Sequence, residues 1–203
     1  MIMDNGTSSI NRRIGETAHN LRADQNLSLD ALATKSGVSR SMISLIERGQ
    51  ASPTAVVLER LAFGLGVPLA RLFDVPAADR DCPGPLARLE EQPQWRDPGS
   101  GYVRRNVSPA GWPSPIQIVE VEFPPGARVA YETGSREPHV HQQVWVLAGQ
   151  IHLTLGDADY RLRTGDCLAM LLEQPIVYWN PTSETARYVV VISAEVLPSR
   201  RTP

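Results

Sequence analysis

Cysteine is almost missing from this 203-residue chain: Cys82 and Cys167 are its only two, and they form no CxxC pair. That count excludes a disulfide framework and a thiolate zinc site, and leaves two free thiols in a cytosolic protein. No run of about 18 apolar residues occurs, so no membrane span is expected. The opening MIMDNGTSSINRR has positive charges but no apolar core behind them, so it is not read as a signal peptide. Lysine is nearly absent too: Lys35 is the only one and every other cation is an arginine, which we read as genome composition rather than function. Nor is one sign of charge in excess. The 20 Lys and Arg against 22 Asp and Glu leave a formal net charge of −2. Residues 1–75 hold eight cations and seven anions, and residues 76–203 hold twelve and fifteen. Any affinity for nucleic acid must then come from locally clustered cations, not from bulk charge. The length leaves room for one large or two small domains.

What is present falls into two regimes. Up to about Asp74 the apolar spacing is helical, as in Ile10, Ile14, Ala18, Leu21 and again in Val57, Leu58, Leu61, Ala62, Leu65. Ser28 and Ser39 stand where N-caps belong, and Ser52-Pro53 reads as a cap followed by proline at the first helical position. Gly37, Gly49 and Gly66 fall just past helix ends, where a left-handed residue is needed. With a last short helix from Pro68 through Leu69, Leu72 and Phe73, five helices are expected over residues 10–74. Residues 75–100 are rich in proline, glycine and charge and read as a linker, with one helical turn at Leu86–Glu90. From residue 101 to 197 the period is two. IQIVEVEF, QQVWVLAGQIHLTLG, ADYRLRTGD, IVYWN and ARYVVVIS are strand-like runs, separated by the turn signals PPGA, GDAD, TGD and NPTSET. A sandwich or barrel is expected there.

Two helices joined by a short glycine turn, Leu29–Ser36 and Ser39–Arg48, make a helix-turn-helix, whose second helix lies in the major groove of DNA. Ser39, Arg40, Ser41 and Ser44 share its outer side, while Met42, Ile43 and Ile46 are expected to turn inward. Arginine reaches guanine bidentately, and serine donates or accepts. Arg48, Gln50 and Ser52 suit phosphate contacts. From Ile14 to Phe73, and most specifically in LSLDALATKSGVSRSMISLIERG and SPTAVVLERLAFGLGVPLARLF, the chain resembles the XRE-type helix-turn-helix family of lambda-type repressors. The resemblance implies that Arg40, Ser41 and Ser44 reach into the groove, and that Arg22 pairs with Glu47 to fix helix 1 against the recognition helix. Ser28 and Lys35 complete the expected DNA-facing set. Leu29 and Leu45 depart from the family, standing where many members carry polar residues, so base readout rests on fewer polar groups. One such unit grips little DNA, and a homodimer on a palindromic operator is expected.

The segment from Ile116 to Ser193, through VWVLAGQIHLTLG, YRLRTGD and the strand ending in Asn180, resembles the cupin family. That resemblance implies a double-stranded β-helix, a jelly-roll-like barrel whose cup holds a metal or a small ligand. Gly149, Gly156 and Gly165 fall at its expected turns. His139 and His141 point to one face of a strand, which suits a transition metal. Yet counting back from Gly149 puts Arg136 and Pro138 at the family's paired-ligand positions and Gln142 at its glutamate. Ile176 takes the place of the last histidine, and His152 is expected to face solvent. No bound metal, cofactor or catalytic residue is therefore expected. Tyr131, His139, His141, Gln142, Val144, Tyr178 and Asn180 are the candidate effector-binding residues. Taken singly, Tyr178, Trp145 and Trp179 read rather as core or dimer-interface residues.

The function expected from both halves is a cytoplasmic DNA-binding transcriptional regulator, with repression as the default, whose β half dimerises and senses a small-molecule effector. The linker would carry the coupling. Two alternatives stand beside it: a metal-dependent cupin enzyme with an accessory DNA-binding domain, and a constitutive regulator with a purely structural cupin.

Overall fold

The computed structural model describes residues 5–73, 84–132 and 139–194. Cys82, Arg136 and Pro138 lie outside them. Four α-helices open the chain: α1 (Asn5–Asp24), α2 (Leu29–Ser36), α3 (Arg40–Glu47) and α4 (Ala55–Gly64). Ser28 caps α2 by accepting from the Ala31 amide, and Ser39 caps α3 by accepting from the Met42 amide. The cap of α4 is Thr54, not Ser52. Ser52 instead accepts from the Asn11 side chain at 2.9 Å. The fifth expected helix is a five-residue 3₁₀ segment, Leu69–Phe73. The Arg71 amide closes onto the Pro68 carbonyl, an i to i+3 bond suited to so short a piece. Ala70, Leu72 and Phe73 bury themselves and hold it in place.

Ten strands follow among the described residues: β1 (Gln94–Arg96), β2 (Val103–Asn106), β3 (Ile116–Phe123), β4 (Arg128–Tyr131), β5 (Val140–Ala148), β6 (Gln150–Leu155), β7 (Ala158–Arg163), β8 (Cys167–Leu171), β9 (Ile176–Trp179) and β10 (Ala186–Ala194). They form two antiparallel sheets. One has the order β1-β2-β3-β10-β5-β8 and the other β4-β9-β6-β7. Alternation selects the inner faces. Val119, Val121 and Phe123 of β3, Val144 and Val146 of β5 and Tyr188 and Val190 of β10 are buried, and so are Ile151 and Leu153 of β6 and Ile176 and Tyr178 of β9.

The segment expected to be a linker is structured in its second part. A 3₁₀ turn spans Leu89–Glu91, β1 pairs with β2 as the edge of the larger sheet, and the chain then turns through Asp97. These residues clasp the helical half. The Ala55 amide, at the first turn of α4, donates to Asp97 Oδ1 at 2.8 Å. The other carboxylate oxygen accepts from the Ser100 amide and hydroxyl. Trp95 meets Phe73 edge-on at 5.5 Å, Arg104 lies 4.7 Å over the Phe73 ring, and Arg60 of α4 pairs with Glu132 at 2.7 Å. Buried side chains of helices and sheets accordingly form one continuous core.

Candidate nucleic-acid interface and internal cavity

Helix α3 is held by close backbone contact. A Cβ on Gly15 of α1 would run into the Ile46 carbonyl, so only glycine lets the two helices come this near. Gly49 ends the unit at φ +65, and a Cβ there would lie 2.9 Å from the Arg12 Cα. Both the backbone angle and the space therefore demand glycine. Ile43 and Ile46 are buried beneath the helix. Met42, expected inward, is 36 % exposed. It stands about 100° round the helix from Ile43, beyond the narrow buried stripe of a two-turn helix.

Side chains of the expected DNA-facing set remain at the surface. Arg40 and Ser41 are exposed and Ser44 is half-buried. Arg40 Nε lies 3.3 Å from Asp30 in α2, a largely exposed pair that is worth little in water. Ser41 shares a hydrogen bond with the capping Ser39. Arg48 ends α3 and donates from Nε to the Ser44 carbonyl. Ser28, Lys35 and Gln50 are exposed nearby in sequence at element ends.

Arg22 and Glu47 lock α1 to the end of α3. Nε and Nη2 of Arg22 meet the two carboxylate oxygens at 2.6 and 2.7 Å, and its Nη1 donates to the Leu27 carbonyl. His19 Nδ1 adds a contact at 2.9 Å. Burial alone would raise the Glu47 carboxyl, but the hydrogen bonds from Arg22 and His19 outweigh it and hold it below its ordinary range. The same bond to Glu47 raises the Arg22 guanidinium further.

Between the sheets lies a cavity of about 70 Å³. Its walls include Tyr131, Gln142 and Tyr178 from the expected effector set. The Gln142 side chain donates to the Tyr178 hydroxyl at 2.5 Å, and Tyr178 stacks on Tyr188 at 5.9 Å. Burial raises the phenols of Tyr102, Tyr131, Tyr178 and Tyr188, so all four stay neutral. The other expected residues do not line it. Val144 is fully buried in packing. Asn180 donates to the Phe123 and Glu184 carbonyls and accepts from the Thr182 amide and hydroxyl, so its amide is consumed in bracing the turn after β9. His139 Nδ1 sits 2.8 Å from Glu173, and His141 is exposed. Among the described residues no group of three or more His, Cys, Asp or Glu is placed to hold a metal. His152, expected to face solvent, is half-buried edge-on against Trp179.

Among the wall residues not foreseen are Tyr102, Arg104 and Glu59. Tyr102 and Arg104 share one parity across the start of β2, which is the signal that both point inward. Glu59 belongs to α4 and falls in line with Ala55 and Ala62, at i−4 and i+3, both fully buried. A carboxylate on a stripe of buried alanines was the available clue.

Residues 19–72 match the helix-turn-helix family HTH_3. The chain is 27 % identical over 177 residues to the HTH-type transcriptional regulator PuuR of Escherichia coli (strain K12), across 86 % of this chain and 91 % of that protein. It is 25 % identical over 178 residues to the HTH-type transcriptional regulator SutR of the same organism, across 87 % and 92 %. The crystal structure of an HTH_3 family transcriptional regulator from Vibrio cholerae superposes with a TM-score of 0.74 at 23 % identity, covering 93 % of this chain and 99 % of that one. That likeness extends a shared fold across both halves. The chain thus carries a helix-turn-helix domain of the HTH_3, XRE-type family.

Proposed function

We propose that the chain is a sequence-specific DNA-binding transcriptional regulator, acting by binding rather than turnover, with repression as the default. The observation that carries this is the short polar surface of α3, fixed by the Arg22–Glu47 pair within a domain of the matched family. The relatives' names as transcriptional regulators support it. Arg40, Ser41 and Ser44 read base edges. Ser28, Lys35, Ser39, Arg48 and Gln50 position the backbone.

Two copies would read a palindrome with half-sites about 34 Å apart. The β half supplies the pairing, and we read it as a cupin-type double-stranded β-helix. The insertion of β10 between β3 and β5, and of β9 between β4 and β6, supports that reading. Trp145 and Trp179, each nearly half exposed on outer strand faces, offer an aromatic surface for the second copy. The inner cavity is the candidate effector site. We divide the chain into a DNA-binding unit over 10–74, a connection over 75–100 whose β1 already pairs onto the larger sheet, and the β unit over 101–197.

Operator selection followed by gel-shift titration tests the assignment. Arg40→Ala is expected to weaken specific binding by about 1–3 kcal/mol per half-site and to relax base preference at one position. Unchanged operator affinity in that variant would remove Arg40 from the base-reading set.

A further inference from the structure

We infer that the second copy docks on the outer face of the larger sheet, over β8, β5, β10 and β3, and that the outer face of the smaller sheet stays clear of it. This rests on the reading that the β half pairs two chains, and it names the face that does so. Trp145 and Trp179 are almost equally exposed, at 49 and 43 %. They belong to different sheets and stand on opposite outer sides of the β half, so one two-fold axis can bury only one of them. Their neighbours decide which.

Directly opposed residues of paired strands point to the same side of a sheet. Around Trp145 one such row runs Cys167, Trp145, Val189, and the next runs Ala169, Gln143, Val191, Ile118. The residues from β8 and β5 are exposed, and those from β10 and β3 are half-buried. The face continues to Ile116, 46 % exposed at the start of β3. Over these four strands fixed charge enters only at one margin, where Arg187 stands opposite Glu122 and pairs with Glu120. Four strands about 4.8 Å apart and five residues at about 3.3 Å each make a patch on the order of 300 Å², a size at which an exposed apolar surface is often an interaction site. A mostly apolar, nearly uncharged sheet face is complementary to a rotated copy of itself, and sheets stack readily in this way.

The smaller sheet offers the opposite surroundings. Around Trp179 the row is Arg128, Trp179, His152, Arg161, and Arg163 stands opposite Gln150 on the same side. All three arginines are exposed. The one carboxylate among the outward residues of these strands is Asp159, which takes the Thr154 hydroxyl. A two-fold axis through this face would set three cations and one anion against the same set again. Like charges brought together at an interface are costly, and nothing on the face answers them.

Sedimentation velocity of the full chain at micromolar concentration tests this, with three variants beside the wild type. The wild type is expected to run as a dimer. Trp145→Arg and Gln143→Arg each bring two guanidinium groups onto the shared face, and each should raise the dimer Kd at least tenfold. Gln143 is already exposed, so its replacement should leave the fold intact, which far-UV circular dichroism of the variant checks. Trp179→Arg should leave the dimer unchanged. A dimer that survives both Trp145→Arg and Gln143→Arg, or one that Trp179→Arg dissociates, would overturn the inference while leaving the homodimer in place. A wild type that is monomeric at these concentrations would refute the pairing reading itself, and the inference with it.

Discussion

Glu47 gathers Arg22 and His19 around one mostly buried carboxylate, and that concentration makes the recognition helix sensitive to acid. A carboxyl held below its ordinary range adds stability that is fully present above that range, near 4.5, and is lost as pH falls through the lower folded value. Chemical denaturation from pH 6 downward should show this loss in the wild type and not in Glu47→Gln. At neutral pH the Glu47→Gln protein should be less stable by about 3 kcal/mol, since Arg22 keeps its burial and loses its counter-charge. Asn180 gives a contrasting case. Its four side-chain hydrogen bonds all go to backbone or to Thr182. Asn180→Ala should cost about 2–3 kcal/mol in urea unfolding, yet leave the affinity of any ligand in the cavity unchanged. A ligand affinity that falls with it would return Asn180 to the binding set.

The contact of α1 with α3 depends on the missing side chain of Gly15. Gly15→Ala should destabilise the fold by about 1–3 kcal/mol, because the obstacle is a backbone carbonyl that cannot rotate aside. It should also weaken operator binding beyond what stability explains, as α3 is pushed from its position. Much at this scale was legible before any coordinates. Ser28 and Ser39 cap the helices expected of them, and β3 spans the whole of IQIVEVEF. These signals are local: a cap reaches three residues, and alternation shows within one strand. Thr54 rather than Ser52 caps α4, two residues on from the expected place, and the Asp97 carboxylate that takes the Ala55 amide, 42 residues away, leaves no local signal at all. Arg104 is harder to read, because VRRN holds two adjacent arginines on opposite faces and only the parity shared with Tyr102 marks Arg104 as the inward one. His139 and Asn180 stand outside the cavity wall for a related reason. Parity places a side chain on a face, but Glu173 and the turn after β9 claim these two.

For the whole molecule, weak bulk charge means that binding rests on few phosphate contacts. The logarithm of operator affinity should fall linearly with the logarithm of salt concentration, and Lys35→Ala or Arg48→Ala should each reduce that slope by about 1 without altering sequence preference. A changed preference would move the residue into the base-reading group. No helix among the described residues is long and apolar enough to cross a membrane.

The Asp97 carboxylate that completes α4 also bears on how such chains can be cut and recombined. A DNA-reading fragment ending near residue 75 would leave behind the group that holds its fourth helix, together with the indole against Phe73. Grafting this reading head onto a foreign sensor is therefore not a matter of joining two modules by a spacer. The short stretch from Gln94 to Tyr102 has to travel with the head, although it belongs to the other half by sequence, and the natural seam for recombination lies after it rather than before.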